Sequence, residues 1–224
     1  MIFATLCVGI DWCEKHSQAI NDIGENHTIY VYTDCPHYFP NCNIIQYTRS
    51  DFSYFEKLVL LFNVMDECNE RVTYFDCDST KRNQVQLMLN GLNQPFDNKS
   101  IYTYKVFKNV EYSIEDLSTD PSLYTLMNVY RELGFKDVRC NYPHERILSL
   151  PFIPKKYKKL KEKVLNVQPI WEKNWSMGKS WIGTHPCNKW SQYGCGYAEG
   201  GALSIYAKEL KINLEPILPI TTLL

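Results

Sequence analysis

Apolar and polar positions along the first third of the chain alternate between two periods. Residues 2–8, Ile-Phe-Ala-Thr-Leu-Cys-Val, form a nearly continuous apolar run, as expected of a strand buried on both faces. Gly9 ends it. Residues 11–24 place Trp12, His16, Ala19, Ile20 and Ile23 on one helical side, with Gly24 as the stop. Thr28–Thr33 alternates as a second strand, closed by Asp34-Cys35-Pro36, and residues 43–47 read as a short third strand. Phe55, Leu58, Val59, Phe62 and Met65 recur at helical spacing, and Val72-Thr-Tyr-Phe75 returns to strand. The first 78 residues therefore read β-α-β-β-α-β, the front half of an α/β sandwich with a mostly parallel sheet.

The signal continues further on. A helix is expected over 79–92, a strand over 101–107, a helix around Leu123–Leu133 and a strand over 146–150. Six lysines fall within residues 155–163, which reads as the solvated face of a helix. A final helix is expected over Ser204–Leu210. Residues 1–212 are taken as one domain, with 1–110 its nucleotide-binding half and 111–212 its acceptor-side half. The stretch 213–224, with Pro216 and Pro219, is taken as a terminal strap or a linker into a longer multidomain polypeptide.

Composition narrows the function. The 224 residues are 45% apolar and carry a net charge of −1, so nothing marks the chain as a general polyanion or nucleic-acid binder. Nine cysteines are scattered without a CxxC pair, which reads as free thiols in a reducing, cytoplasmic setting. No apolar run is long enough to span a membrane. Gly-x-Gly-x-x-Gly after the first strand and Gly-x-x-x-x-Gly-Lys-Ser/Thr are both missing from the sequence, which disfavours dinucleotide dehydrogenases and P-loop enzymes.

The chemistry concentrates in Asp76-Cys77-Asp78. Open α/β sheets bind ligands beyond the carboxyl ends of their strands, and an Asp-x-Asp there sets two carboxylates at that rim. Two hard oxygen donors suit Mn²⁺ or Mg²⁺ holding a substrate phosphate. The same residues also fit a plain helix cap. The C-terminal quarter is the other unusual region. Trp171, Trp175, Trp181 and Trp190 crowd around Gly183-Thr-His-Pro-Cys-Asn-Lys-Trp190, ahead of Tyr193–Ser204 with its four glycines. Aromatic faces with polar edges suit a sugar, although core packing explains most aromatics. His185 is a candidate metal ligand beside the carboxylates, and Lys189 a candidate partner for a diphosphate.

These motifs together resemble the GT-A class of nucleotide-sugar glycosyltransferases. Tyr30-Val-Tyr-Thr-Asp34 resembles the second-strand motif of the blood-group-type transferases, and Asp76-Cys77-Asp78 matches their metal-binding Asp-x-Asp. Thr184-His185 is similar to the late His-containing motif of galactosyl and xylosyl transferases, and Tyr197–Ser204 to the Gly-Gly segment of β-1,3-type enzymes. With no anchor and many free cysteines, the chain also resembles the soluble glycosyltransferase domains of large chlorella-type algal viruses, which act in capsid glycan synthesis in the host cytosol.

The resemblance implies a three-layer α/β/α sandwich and a metal-dependent transfer of a hexosyl-type sugar from a UDP-sugar to a glycan or glycoprotein acceptor, leaning towards retention of configuration. It implies Mn²⁺ (or Mg²⁺) held by Asp76, Asp78 and His185. Thr5, Leu6, Cys7 and Val8 would line the uracil with Asp34 nearby. Cys77 sits within the motif, and Lys57, Lys189 and Arg49 are diphosphate candidates. Asp78 and Glu199 are the catalytic candidates, Glu199 as base or acceptor-positioning group. A non-catalytic carbohydrate-binding domain and a metal-dependent nucleotidyltransferase or phosphohydrolase are the competing expectations.

Overall fold

The computed structural model describes residues 1–49, 55–82, 97–103, 106–113, 131–134, 137–143, 147–173 and 198–217. Within them lie nine strands: β1 (Ile2–Leu6), β2 (Thr28–Thr33), β3 (Asn43–Gln46), β4 (Val72–Phe75), β5 (Ser100–Thr103), β6 (Val106–Ser113), β7 (Asp137–Pro143), β8 (Ile147–Leu150) and β9 (Asn213–Pro216). The helices are α1 (Ile10–Gly24), α2 (Glu56–Cys68), α3 (Pro154–Leu165) and α4 (Ala198–Glu209).

Seven strands form one mixed sheet in the order β3-β2-β1-β4-β8-β5-β9. β1 pairs in parallel with β2 and β4, and β2 with β3. β8 is antiparallel to both β4 and β5, while β5 and β9 are parallel. β6 and β7 make a separate antiparallel pair with an irregularity between Phe107 and Val110.

The period-2 pattern of the strands sorts their side chains to two faces. On one face Phe3, Ile29, Val31, Phe75 and Ile147 pack with Cys13, Ile20 and Ile23 of α1. On the other, Ala4, Leu6, Val72, Tyr74, Leu148 and Leu150 pack with Leu58, Leu61, Phe62 and Met65 of α2, Leu160 of α3 and Leu203 of α4. Each such aliphatic or aromatic burial stabilises by roughly 1.5–3 kcal/mol. The chain is thus an α/β protein with helices on both faces of a mostly parallel sheet.

Two backbone positions shape the α1 side. Gly9 caps α1 at φ 91°, a left-handed conformation that glycine adopts without a Cβ clash. At Gly24 an added Cβ would lie 2.6 Å from the Asn41 backbone oxygen, so the loop before β3 passes hard against the end of α1. Asn69 at φ 55° ends α2, its N–H bonded to Met65 O at 2.9 Å.

Several elements differ from the sequence reading. The first strand stops at Leu6, and residues 101–107 divide between β5 and β6. Cys77–Arg82 forms a 3-10 turn where the helix expected over 79–92 was to begin, and residues 83–92 lie outside the described residues. Trp12 is exposed and stacks on buried His16, so the core face of α1 is Cys13, His16, Ile20 and Ile23. Residues 213–216 form β9 within the main sheet, next to β5. The lysines of α3 do form a solvated face, with Tyr157, Leu160 and Val164 buried behind them.

Arg71, just before β4, ties that strand to its distant neighbours. Its guanidinium donates to Ser149 O, Ser149 Oγ, Asp97 O and Ser100 O at 2.8–3.3 Å and lies over the Tyr102 ring. Asp97 in turn accepts from the Lys99 and Ser100 backbone N–H groups at 2.7 Å and from Ser100 Oγ at 2.9 Å. These bonds, the one from Lys99 first, hold its carboxyl below the ordinary range.

Candidate functional site

The parallel pairing of β2, β1 and β4 brings their carboxyl ends to one edge of the sheet. Register aligns Leu6 with Tyr32 and Ala4 with Tyr74, so Cys7–Gly9, Asp34–Cys35 and Asp76–Ser79 leave the sheet side by side. Side chains stitch these exits together. Thr5 Oγ1 donates to Phe75 O at 2.8 Å, and Gly9 N donates to Asp34 Oδ1 at 2.9 Å. Cys7 N donates to Tyr32 O at 3.1 Å.

Asp76 is the first residue beyond β4, and Asp78 lies in the turn that follows. Both are partly exposed. The turn is closed by the Ser79 N–H, which bonds to Asp76 O at 2.8 Å. Tyr74 Oη donates to Asp76 Oδ1 at 3.0 Å. Lys57, on the first turn of α2, reaches the same oxygen at 3.9 Å and lies 6.0 Å over the Tyr74 ring. The resemblance implied a diphosphate contact at position 57. Lys57 is buried, its stem within the apolar face of α2 and its charge beneath the Asp-x-Asp.

The donor set fits a hard divalent cation. Two carboxylates one residue apart supply anionic oxygens at a sheet rim, which is the chemistry Mg²⁺ or Mn²⁺ selects. Lys57 partly offsets the charge of Asp76, so Asp78 would be the stronger direct ligand of a bound ion. Ser79, next in the turn, has a fully buried hydroxyl without a hydrogen-bond partner among the described residues.

Of the residues expected to line a base, Thr5, Leu6 and Cys7 are buried, Val8 is half-buried and Asp34 is exposed. The structure brings them to the same edge as Asp76, Cys77 and Asp78. The Cys7 thiol interacts with Cys13 and Cys77, which pushes it far above the usual thiol range. Its hydrogen bond lowers Cys13 to about 7.

Arg49 is committed elsewhere. It donates to Glu56 Oε1 at 2.6 Å and to Glu172 Oε1 at 2.7 Å, and Gln168 Nε2 joins the same two oxygens at 3.2 and 3.0 Å. It is therefore a clamp between the start of α2 and the segment after α3, not a diphosphate contact. Trp171 is fully buried against Phe55 and belongs to the core, apart from any sugar-binding surface. His185 and Lys189, with Trp175, Trp181 and Trp190, lie outside the described residues. Glu199 falls in the first turn of α4.

No protein-family model matches the chain, and no curated protein matches it. Among solved structures it is similar to the apo structure of the bifunctional glycosyltransferase WbbM, at 10% identity and a TM-score of 0.42. The match covers 75% of this chain and 34% of that one, so the chain spans about a third of the length of the structure it matches. Among the described residues no helix is long and apolar enough to cross a membrane.

Proposed function

We propose that the chain is a metal-dependent glycosyltransferase that moves a sugar from a UDP-sugar to a glycan or glycoprotein acceptor. One observation carries the reading. Asp76 and Asp78 leave the carboxyl end of β4 beside the exits of β1 and β2, over a buried lysine. That arrangement puts two hard ligands and a charge-balancing cation at a single rim of a parallel sheet.

In this reading Asp78 and Asp76 hold Mn²⁺ (or Mg²⁺), with His185 carried over from the resemblance as a further ligand. When bound, the ion supplies Lewis-acid stabilisation of a leaving diphosphate. Lys57 and Tyr74 fix the orientation of Asp76 through its Oδ1, so that the motif is set before the donor arrives. The ends of β1 and β2 orient the nucleoside. Glu199, also carried over from the resemblance, is assigned to the acceptor hydroxyl, with retention as the expected outcome.

Calorimetric titration of UDP with and without Mn²⁺, with GDP and CMP as controls, tests this. UDP should bind only with Mn²⁺, and Asp78→Ala should abolish both binding and transfer while the circular dichroism melt is unchanged. UDP affinity undiminished in Asp78→Ala would refute the assignment.

A further inference from the structure

The sheet edge that carries Asp76 and Asp78 also gathers thiols. Cys7 follows β1, Cys13 lies near the start of α1, Cys35 follows β2 and Cys77 follows β4. All four are free cysteines; Cys35 is half-buried and the others are buried. Three ligand atoms converge here: Cys13 Sγ, Cys35 Sγ and a carboxylate oxygen of Asp34 lie within 4.8 Å of one another. Metal–sulfur and metal–oxygen bonds of about 2.3 and 2.1 Å set tetrahedral ligand atoms roughly 3.5–3.8 Å apart. Ligand atoms within 4.8 Å of one another therefore have to draw closer around an ion.

We propose that Cys13, Asp34 and Cys35 form a binding site for a thiophilic divalent cation, Zn²⁺ in the first instance. Two sulfur donors select soft or borderline ions over Mg²⁺ and Mn²⁺, so this site differs in kind from the all-oxygen pair at Asp76 and Asp78. The Asp34 carboxylate is held in place by the Gly9 N–H at 2.9 Å, the sort of outer hydrogen bond that orients a metal-ligating carboxylate. Thr33 Oγ1 lies 3.5 Å from Cys13 Sγ and accepts from Cys35 N at 3.0 Å, so one hydroxyl braces both cysteines. Three protein ligands leave a fourth tetrahedral position open to water or a further ligand. A bound ion would join the start of α1 to the exit of β2.

The test is a Co²⁺ titration of the full, reduced, metal-stripped chain, followed by absorbance. One equivalent should produce a thiolate-to-cobalt charge-transfer band with tetrahedral d–d bands, and added Zn²⁺ should bleach both. Cys35→Ser, at the half-buried position, and Cys13→Ser should each lose the charge-transfer band while keeping the wild-type far-ultraviolet dichroism. Cys68→Ser, on α2, should keep it. Absence of a thiolate band in the wild type, or its survival in both Cys13→Ser and Cys35→Ser, would overturn the proposal. Metal held by Asp76 and Asp78 gives no thiolate band, so failure of this site and failure of the glycosyltransferase reading are read separately.

Discussion

Replacing Arg49 by methionine probes the clamp that joins the start of α2 to the segment after α3. The side chain of Glu56 is 5% exposed, and those of Arg49 and Glu172 are 27% and 30% exposed. A hydrogen bond to a charged group contributes about 1.5–3 kcal/mol. The Glu56 bond, with its carboxylate almost out of water, belongs near the top of that range. The Glu172 bond is screened towards the value of about 1 kcal/mol or less seen for exposed pairs. Gln168 still donates to both carboxylates after the substitution, which softens the loss. The expected destabilisation is about 3 kcal/mol, or roughly 1.5 M in urea midpoint at a slope of about 2 kcal/mol per M.

A second substitution sharpens that test, because Arg49→Met leaves the Glu56 carboxylate buried without its cation. Adding Glu56→Gln to Arg49→Met should restore more than half the loss at pH 7. Urea unfolding followed by tryptophan fluorescence and circular dichroism measures both. A deficit below about 1 kcal/mol at pH 7, or one that Glu56→Gln leaves intact, would refute the clamp as a source of stability.

Other perturbations probe separate regions. Gly24→Ala should cost about 1–2 kcal/mol despite the better helix propensity of alanine, because its Cβ meets the Asn41 carbonyl; a thermal melt that is unchanged or raised contradicts the close approach. Asp97→Ala should cost about 1 kcal/mol at pH 7 by removing the acceptor for the Lys99 and Ser100 N–H groups. Because the Asp97 carboxyl is lowered, its contribution is complete above the ordinary carboxylate range and is lost as pH falls through the lowered value. Melts at pH 7 should therefore separate the two proteins, and melts well below pH 4 should not.

Much of the fold was legible because periodicity reports burial. β2 reads correctly from Thr28 to Thr33 because its alternation is bounded by polar turn residues at both ends. α2 reads from its apolar stripe, with boundaries shifted by a few residues. The antiparallel insertion of β8 between β4 and β5 is not legible, since strand order depends on partners far apart in the chain. Lysine at position 57 looks exposed in any composition-based reading, and only the packing of α2 onto Tyr74 reveals its stem within the core. The Asp-x-Asp stood out as a contiguous motif. The Cys13, Asp34 and Cys35 cluster did not, because its ligands come from the start of α1 and the exit of β2 and have no characteristic spacing.

The position of β8 has a consequence during synthesis. β4 pairs with β1 on one side as soon as the first third of the chain is made, but its other edge waits for a strand whose Ser149 lies 78 residues beyond Arg71. At about 5–20 residues per second, that edge stays open for roughly 4–16 s as the chain emerges. An apolar strand with unsatisfied N–H and C=O groups is a template for pairing with other chains. The nascent protein therefore passes through an interval in which its Asp-x-Asp strand has an open, adhesive edge. A chaperone that shields β4 until Ile147–Leu150 arrives would set the yield of soluble protein without altering the finished fold.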